Sequence, residues 1–119
     1  MEKVKVGIVG IGWWSDVLAG IIQSSDKLDL RACYTRSKDK ATAFATKFKC
    51  EAMESYESLL ALGDLDGVIL TTPNSAHRTG AEAAARSGKH VFVEKPISNK
   101  LEDGQAMIAV CETAGVQLA

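Results

Sequence analysis

The sequence is short of several things, and each shortage excludes a class of protein. Its 119 residues include only two prolines, Pro73 and Pro96, and no low-complexity segment, which excludes an intrinsically disordered chain. Neither sign of charge dominates, with 14 Lys and Arg against 15 Asp and Glu and a net charge of −1. A nucleic-acid-binding domain normally carries a basic excess, so no nucleic-acid partner is expected. No apolar run approaches the ~20 residues of a membrane span. The first such run, Val4–Val9, soon meets Gly10, Gly12, Ser15 and Asp16, and no signal-peptide cleavage pattern accompanies it. Cysteines are few and odd in number. Cys33, Cys50 and Cys111 lie far apart in apolar stretches rather than in Cys-x-x-Cys pairs, which favours small buried hydrophobes over disulfides or a zinc site. The expectation is therefore a cytoplasmic protein with no metal and no membrane contact.

What is present suits one globular domain over residues 1–119. The composition is 46% hydrophobic and 24% charged, and a chain of this length buries about two thirds of its unfolded surface without a staple. Short β-branched runs alternate with helical periods. Val4–Val9 reads as a strand, and Leu18, Ile21 and Ile22 follow at i, i+3, i+4, one face of a helix. Residues 29–34 form a second strand candidate, and Ala41, Phe44, Ala45 and Phe48 repeat the helix spacing. A short strand at 51–53 precedes a helix at 55–62. Residues 68–71 read as a buried strand, and Ala81, Ala84 and Ala85 mark a helix ending near Gly88. His90–Val93, a helix over 101–113 capped by Gly115, and the start of a sixth strand at 116–118 complete the pattern. This alternation predicts an α/β fold, a doubly wound parallel sheet of about six strands with helices on both faces. The pattern stops inside its sixth strand, so a longer parent protein is expected.

Gly10-Ile11-Gly12 follows the first strand and opens a helix. In that setting the first glycine permits a tight turn and the second lets the backbone approach a pyrophosphate, which the helix amides then bind. The third position of this glycine pattern holds Ser15, small enough to keep helix and strand close. Asp16 would repel phosphate and is expected to face solvent as a first-turn acid. Trp13 and Trp14 are too large for a domain of this size to bury both; they are expected to cover a ligand or pack on a further domain, with plain core packing as the alternative.

The end of the second strand decides which dinucleotide suits the loop. About 20 residues after the glycines, an acid would bind the ribose 2′-hydroxyl of NAD. Here the run is Tyr34-Thr35-Arg36-Ser37-Lys38, with a guanidinium and no carboxylate. Arginine pairs with phosphate in bidentate fashion, so the expected cofactor is NADP(H), with NAD(H) the lesser choice. The alternative is a solvated basic cluster opening the next helix.

Two later motifs are more specific. Thr71-Thr72-Pro73-Asn74-Ser75-Ala76-His77 and Gly88-Lys89-His90-Val91-Phe92-Val93-Glu94-Lys95-Pro96 resemble the N-terminal domain of the glucose–fructose oxidoreductase / inositol dehydrogenase / rhizopine catabolism protein family. The resemblance runs over the whole chain. It implies that Gly10, Ile11, Gly12, Trp13 and Trp14 hold the pyrophosphate and that Thr35, Arg36 and Ser37 surround the adenosine ribose. It places Thr71, Thr72, Pro73, Asn74 and His77 along the nicotinamide-side ribose, with Glu94 near them. Lys95 would reach both cofactor and substrate hydroxyl as the catalytic residue, or else form an ion pair with Glu94; His77 would line the ribose or merely cap and pack. The resemblance also implies a C-terminal substrate domain, absent from residues 1–119, and a homo-oligomeric parent. That parent would transfer a hydride to or from a sugar, polyol or related compound. Relatives that act as dinucleotide-binding sensors, or use NAD transiently in glycosidase-like or elimination chemistry, are the alternatives.

Overall fold

The structure, a computed structural model, describes residues 2–119. Among the described residues five strands and five α-helices alternate: β1 (Val4–Val9), α1 (Trp13–Ser24), β2 (Leu28–Tyr34), α2 (Lys38–Phe48), β3 (Glu51–Ala52), α3 (Tyr56–Leu60), β4 (Gly67–Leu70), α4 (His77–Arg86), β5 (His90–Val93) and α5 (Leu101–Ala114). A single 3-10 turn, Asn74–Ala76, leads into α4. The strands lie in the order β3-β2-β1-β4-β5, and every pair is parallel. The chain builds outward from β1 to β3, then returns past β1 to lay down β4 and β5. The return leaves a crevice between the carboxyl ends of β1 and β4, the usual ligand position in open α/β sheets.

Strand side chains alternate between two cores. On one face Val9, Ala32, Val68, Leu70, Val91 and Val93 pack with Leu59 and Leu60 of α3, Ala81, Ala84 and Ala85 of α4, and Met107 and Cys111 of α5. On the other face Val6, Ile8, Leu30, Cys33 and Ile69 meet Ala19 and Ile22 of α1 and Phe44 and Phe48 of α2. Helices thus cover both faces, as the alternating pattern predicts. Phe92, which alternates with Val91 and Val93 on β5, is 45% exposed because α1 and α2 lie over the β1–β2 half of that second face.

The sixth strand is shorter than expected. Residues 116–118 contribute one parallel bridge, Leu118 to Val91. Val91 N donates to Gln117 O at 2.9 Å, Ala119 N to Val91 O at 2.9 Å, and Val93 N to Ala119 O at 2.8 Å. The hydrogen-bond pattern of a sixth strand is therefore begun beside β5. Gly115 ends α5 in the left-handed conformation, φ 73°, as its expected capping role requires.

A buried lysine closes the turn between α3 and β4. Lys89 is 9% exposed, and its Nζ donates to Leu62 O at 3.0 Å and Leu65 O at 2.8 Å. Removing it leaves Leu65 O without its donor, at about 1–3 kcal/mol for a buried unpaired group, whereas Leu62 O keeps the Leu65 amide at 3.2 Å. Lys89→Met should therefore lower unfolding free energy by about that amount in a urea titration, with an unchanged midpoint counting against the closure.

Candidate functional site

The carboxyl ends of β1, β4 and β5 bring together three of the sequence segments singled out above. Thr71 fixes the first two: its amide donates to Val9 O at 2.9 Å, and its hydroxyl donates to Gly10 O at 2.6 Å. The contact leaves no room for a side chain at position 10. Gly10 has φ 87°, and a Cβ there would lie 2.9 Å from the carbonyl carbon and oxygen of Thr71 and the amide of Thr72. Gly12 differs on both counts. Its backbone is extended at φ −168°, and an added Cβ would meet nothing within 4 Å. No internal contact demands glycine there, so it leaves open space in front of the first turn of α1.

That first turn is held by Ser15. Its Oγ accepts from Gly12 N and donates to Gly12 O, both at 2.8 Å, and the side chain is buried. The serine thus keeps helix and strand close and also ties the loop, a role its small size alone did not reveal. The amides of Trp13 and Trp14, at the start of α1, have no intrahelical partner, as at any helix start, and Asp16 N makes the first helical bond, to Gly12 O at 3.3 Å. Asp16 Oδ2 pairs with Lys47 Nζ at 3.3 Å, and the two line one hollow with Ile11 and Gly12.

Trp13 is 78% exposed and Trp14 38%, with ring centroids 5.6 Å apart. Neither is a core residue. Trp14 Nε1 donates to Glu94 Oε2, linking α1 to the end of β5. Glu94 Oε1 also accepts from the Lys95 amide at 3.3 Å. The Lys95 ammonium makes no ion pair among the described residues. Its bond to Pro96 is cis.

His77 sits beneath these loops rather than in their walls. Its ring is fully buried, with Nδ1 3.1 Å from Pro96 O and 3.2 Å from Ile97 O, and Nε2 3.1 Å from Thr72 O. All three neighbours are carbonyl oxygens, so a neutral ring donates from one nitrogen only; the imidazole is packed between the β5–α5 and β4–α4 loops. The placement is that of a packed residue behind the wall formed by Thr72.

Three cavities run in series across the strand ends. One of about 340 Å³ is lined by Trp14, Thr71, Thr72, Asn74, Glu94 and Lys95. A second, about 640 Å³, shares Thr72 and extends past Pro73, Tyr56 and Tyr34 to Arg36. The third, about 320 Å³, shares Tyr34 and Arg36 and adds Thr35, Lys38, Ala41, Ala52 and Met53. Arg36 makes no ion pair among the described residues. Ser37 has a local task, its hydroxyl accepting from Lys40 N at 3.3 Å to cap α2. Ile11, with Gly12 and Lys40, lines a separate hollow of about 290 Å³ beside the loop.

Two residues escaped sequence reasoning, Tyr56 in the cavity wall and Asn99 behind Asn74. Tyr56 donates its hydroxyl to Gly80 O at 2.6 Å, and burial pushes its phenol well above the ordinary range. No motif surrounds it. Asn99 accepts from Asn74 Nδ2 at 3.4 Å, a pairing across 25 positions that no local pattern encodes.

The donor set fits a dinucleotide. Thr72 Oγ1 is buried without a hydrogen-bond partner, the cradle at Gly12 is open, and Arg36 is free at the opposite end. Riboses and phosphates need hydroxyl, open-backbone and cationic groups of these kinds.

Residues 4–119 match the Gfo/Idh/MocA oxidoreductase family, NAD-binding Rossmann fold. The chain belongs to that family. It is 37% identical over 114 residues to D-xylose 1-dehydrogenase (NADP(+)) 2 of Haloferax volcanii, covering 95% of this chain and 34% of that one. Over 113 residues it is 33% identical to 2,7-anhydro-N-acetylneuraminate hydratase of Escherichia coli, covering 95% and 30%. The 3-ketoreductase KijD10 of Actinomadura kijaniata, solved with NADP, superposes with a TM-score of 0.94 at 27% identity, covering 98% and 36%. The chain thus spans about a third of the length of these relatives.

The two glycines should separate in their effects on stability. Gly10→Ala forces a Cβ against backbone in a left-handed conformation and should cost on the order of 1–3 kcal/mol. Gly12→Ala should be nearly neutral. Parallel urea melts check this, and equal losses would refute the division of labour.

Proposed function

We propose that this chain is the dinucleotide-binding domain of a longer oxidoreductase that prefers NADP(H) to NAD(H) and acts on a sugar, polyol or related hydroxyl compound. The observation that carries the reading is the series of cavities from Arg36 to Lys95 across the β1–β4 crevice. Arg36, with Thr35 beside it, would bind the 2′-phosphate and adenosine ribose. The open face of Gly12 and the amides of Trp13 and Trp14 would receive the pyrophosphate, and Thr72 Oγ1 would find its missing partner on the second ribose. Pro73 and Asn74 would shape that wall, with His77 holding it from below.

A bound nicotinamide dinucleotide supplies or accepts the hydride at the carbinol carbon. Lys95 Nζ, free of an acid partner, would donate a hydrogen bond to the substrate oxygen and stabilise negative charge there. Glu94, fixed by Trp14 and the Lys95 amide, would orient near the ribose. The names of relatives support both parts of the proposal: a sugar dehydrogenase marked for NADP(+) and a ketoreductase solved with NADP.

One relative is named a hydratase, a reaction with no net oxidation, and this favours a second reading in which the parent of this chain would remove and return a hydride within one turnover. Stoichiometric consumption of NADPH by the full-length parent would support net oxidoreduction; turnover without consumption would support the second reading.

Calorimetric titration with NADPH and NADH tests the nucleotide preference. Losing one charge-assisted hydrogen bond costs about 1.5–3 kcal/mol, so Arg36→Ala should weaken NADPH binding by roughly ten- to a hundredfold and NADH binding much less. Equal losses would reject the phosphate contact. In the full-length parent, Lys95→Ala should lower kcat more than it alters cofactor affinity, and unchanged turnover would leave Lys95 structural.

A further inference from the structure

Glu94 and Lys95 follow one another in the chain and line one cavity, about 340 Å³, as its only charged side chains among the described residues. Adjacent side chains point to opposite faces within a strand, but β5 ends at Val93, and the next two share a wall. Opposite charges in one recess attract each other and normally pair. Here they do not. Among the described residues Lys95 Nζ makes no ion pair, and the Glu94 carboxylate is engaged elsewhere on both oxygens. Oε2 accepts from Trp14 Nε1, and Oε1 accepts from the Lys95 amide at 3.3 Å.

We propose that Trp14 is a positioning residue for Lys95: its indole N–H holds the Glu94 carboxylate, denies the ammonium an ion-pair partner and keeps it free to face the cavity. An indole has one donor and no acceptor, so it binds the carboxylate and accepts nothing from the ammonium. The ring is carried on a fixed element. Trp14 is the second residue of α1, and Ser15 Oγ ties the start of that helix to the amide and carbonyl of Gly12. The Trp13 ring lies beside it, with centroids 5.6 Å apart. From there the indole reaches Glu94, 80 positions away in the chain, a contact that neither the glycine loop nor the Glu-Lys-Pro motif encodes locally.

The variant Trp14→Phe keeps an aromatic ring on the helix and removes the donor. The released Oε2 then has Lys95 as the one cation lining its cavity, and an ammonium paired with a carboxylate holds its proton more tightly. Less of the lysine is then present as free amine, and its donors turn toward the acid instead of the cavity space. The competition for Glu94 stands on these contacts alone. Its value for catalysis rests on the role proposed for Lys95 above.

The test is trace acetylation of the chain with acetic anhydride at one alkaline pH, read at the Lys95 peptide by mass spectrometry with the other lysines as internal standards. Only free amines react. Trp14→Phe should slow labelling of Lys95 severalfold and leave the other lysines unchanged. In a Glu94→Gln background, which removes the negative partner, the same Trp14→Phe change should have no effect on Lys95. Slowing in both backgrounds would reduce Trp14 to packing, and no slowing in the unaltered background would overturn the competition. Glu94→Gln alone decides the matter should Trp14→Phe fold poorly. It should leave the Lys95 rate nearly unchanged, because the indole already holds the acid away. A severalfold rise would reveal an ion pair that the indole does not prevent, and would overturn the proposal. The reaction contains neither cofactor nor substrate, so failure of the catalytic reading of Lys95 would leave this result standing.

Discussion

The approach of the β4–α4 loop to the end of β1 is the constraint on which the site depends. Parallel strands bring the last residues of β1 and β4 side by side, with Val9 in register with Leu70. Beyond them the chains must part, one entering α1 and the other the 3-10 turn. They part late, because Thr71 still holds both Val9 O and Gly10 O. Glycine at position 10 makes this possible, since any Cβ would strike the Thr71–Thr72 peptide. The glycine loop and the Thr-Thr-Pro-Asn segment are consequently one packed unit. Neither could move without breaking hydrogen bonds of about 1 kcal/mol each and exposing partly buried backbone.

A second layer of fixation comes from His77 and Trp14. The buried imidazole is packed between the loop after β5 and the loop after β4, with carbonyl contacts on both edges. From the solvent side, the Trp14 indole reaches across the crevice to Glu94. Three consecutive strand ends are thus connected pairwise: β1 to β4 through Thr71, β4 to β5 through His77, and α1 to β5 through Trp14. Loops assembled this way keep their polar atoms in place before a ligand arrives, which reduces the ordering cost of binding.

The alternation of elements was legible because its signals are local. Runs such as Val68, Ile69 and Leu70 are buried on both faces of a parallel sheet and stand out as unbroken apolar segments. The capping Gly115 and the alanine stripe of α4 also announce themselves within one or two turns of chain. Strand β3 was overestimated by one residue, and the sixth strand reaches only a single bridge. Edge elements depend on neighbours that sequence periodicity does not report. The crevice residues divide by the same logic. Gly10, Gly12, Thr72 and Lys95 belong to contiguous motifs, whereas Tyr56 and Asn99 contribute through contacts 24 and 25 positions away.

The partition of glycine roles gives the clearest link from backbone to chemistry. Gly10 is required by what the protein itself places against it, so its absence of side chain is consumed in folding. Gly12 is under no such demand: its backbone is extended and its missing side chain faces open space. A residue that costs conformational entropy without relieving any internal contact needs a reason outside the folded chain. The buried, partnerless Thr72 hydroxyl makes the same argument in polar terms, because a lone desolvated hydroxyl is unfavourable until something pairs with it. One position lacks atoms and the other lacks a partner. Thr72 lies along the cavities that run from the Arg36 guanidinium at the β2 end to the Lys95 ammonium at the β5 end, and Gly12 opens the hollow beside the loop between them, an arrangement suited to an elongated ligand.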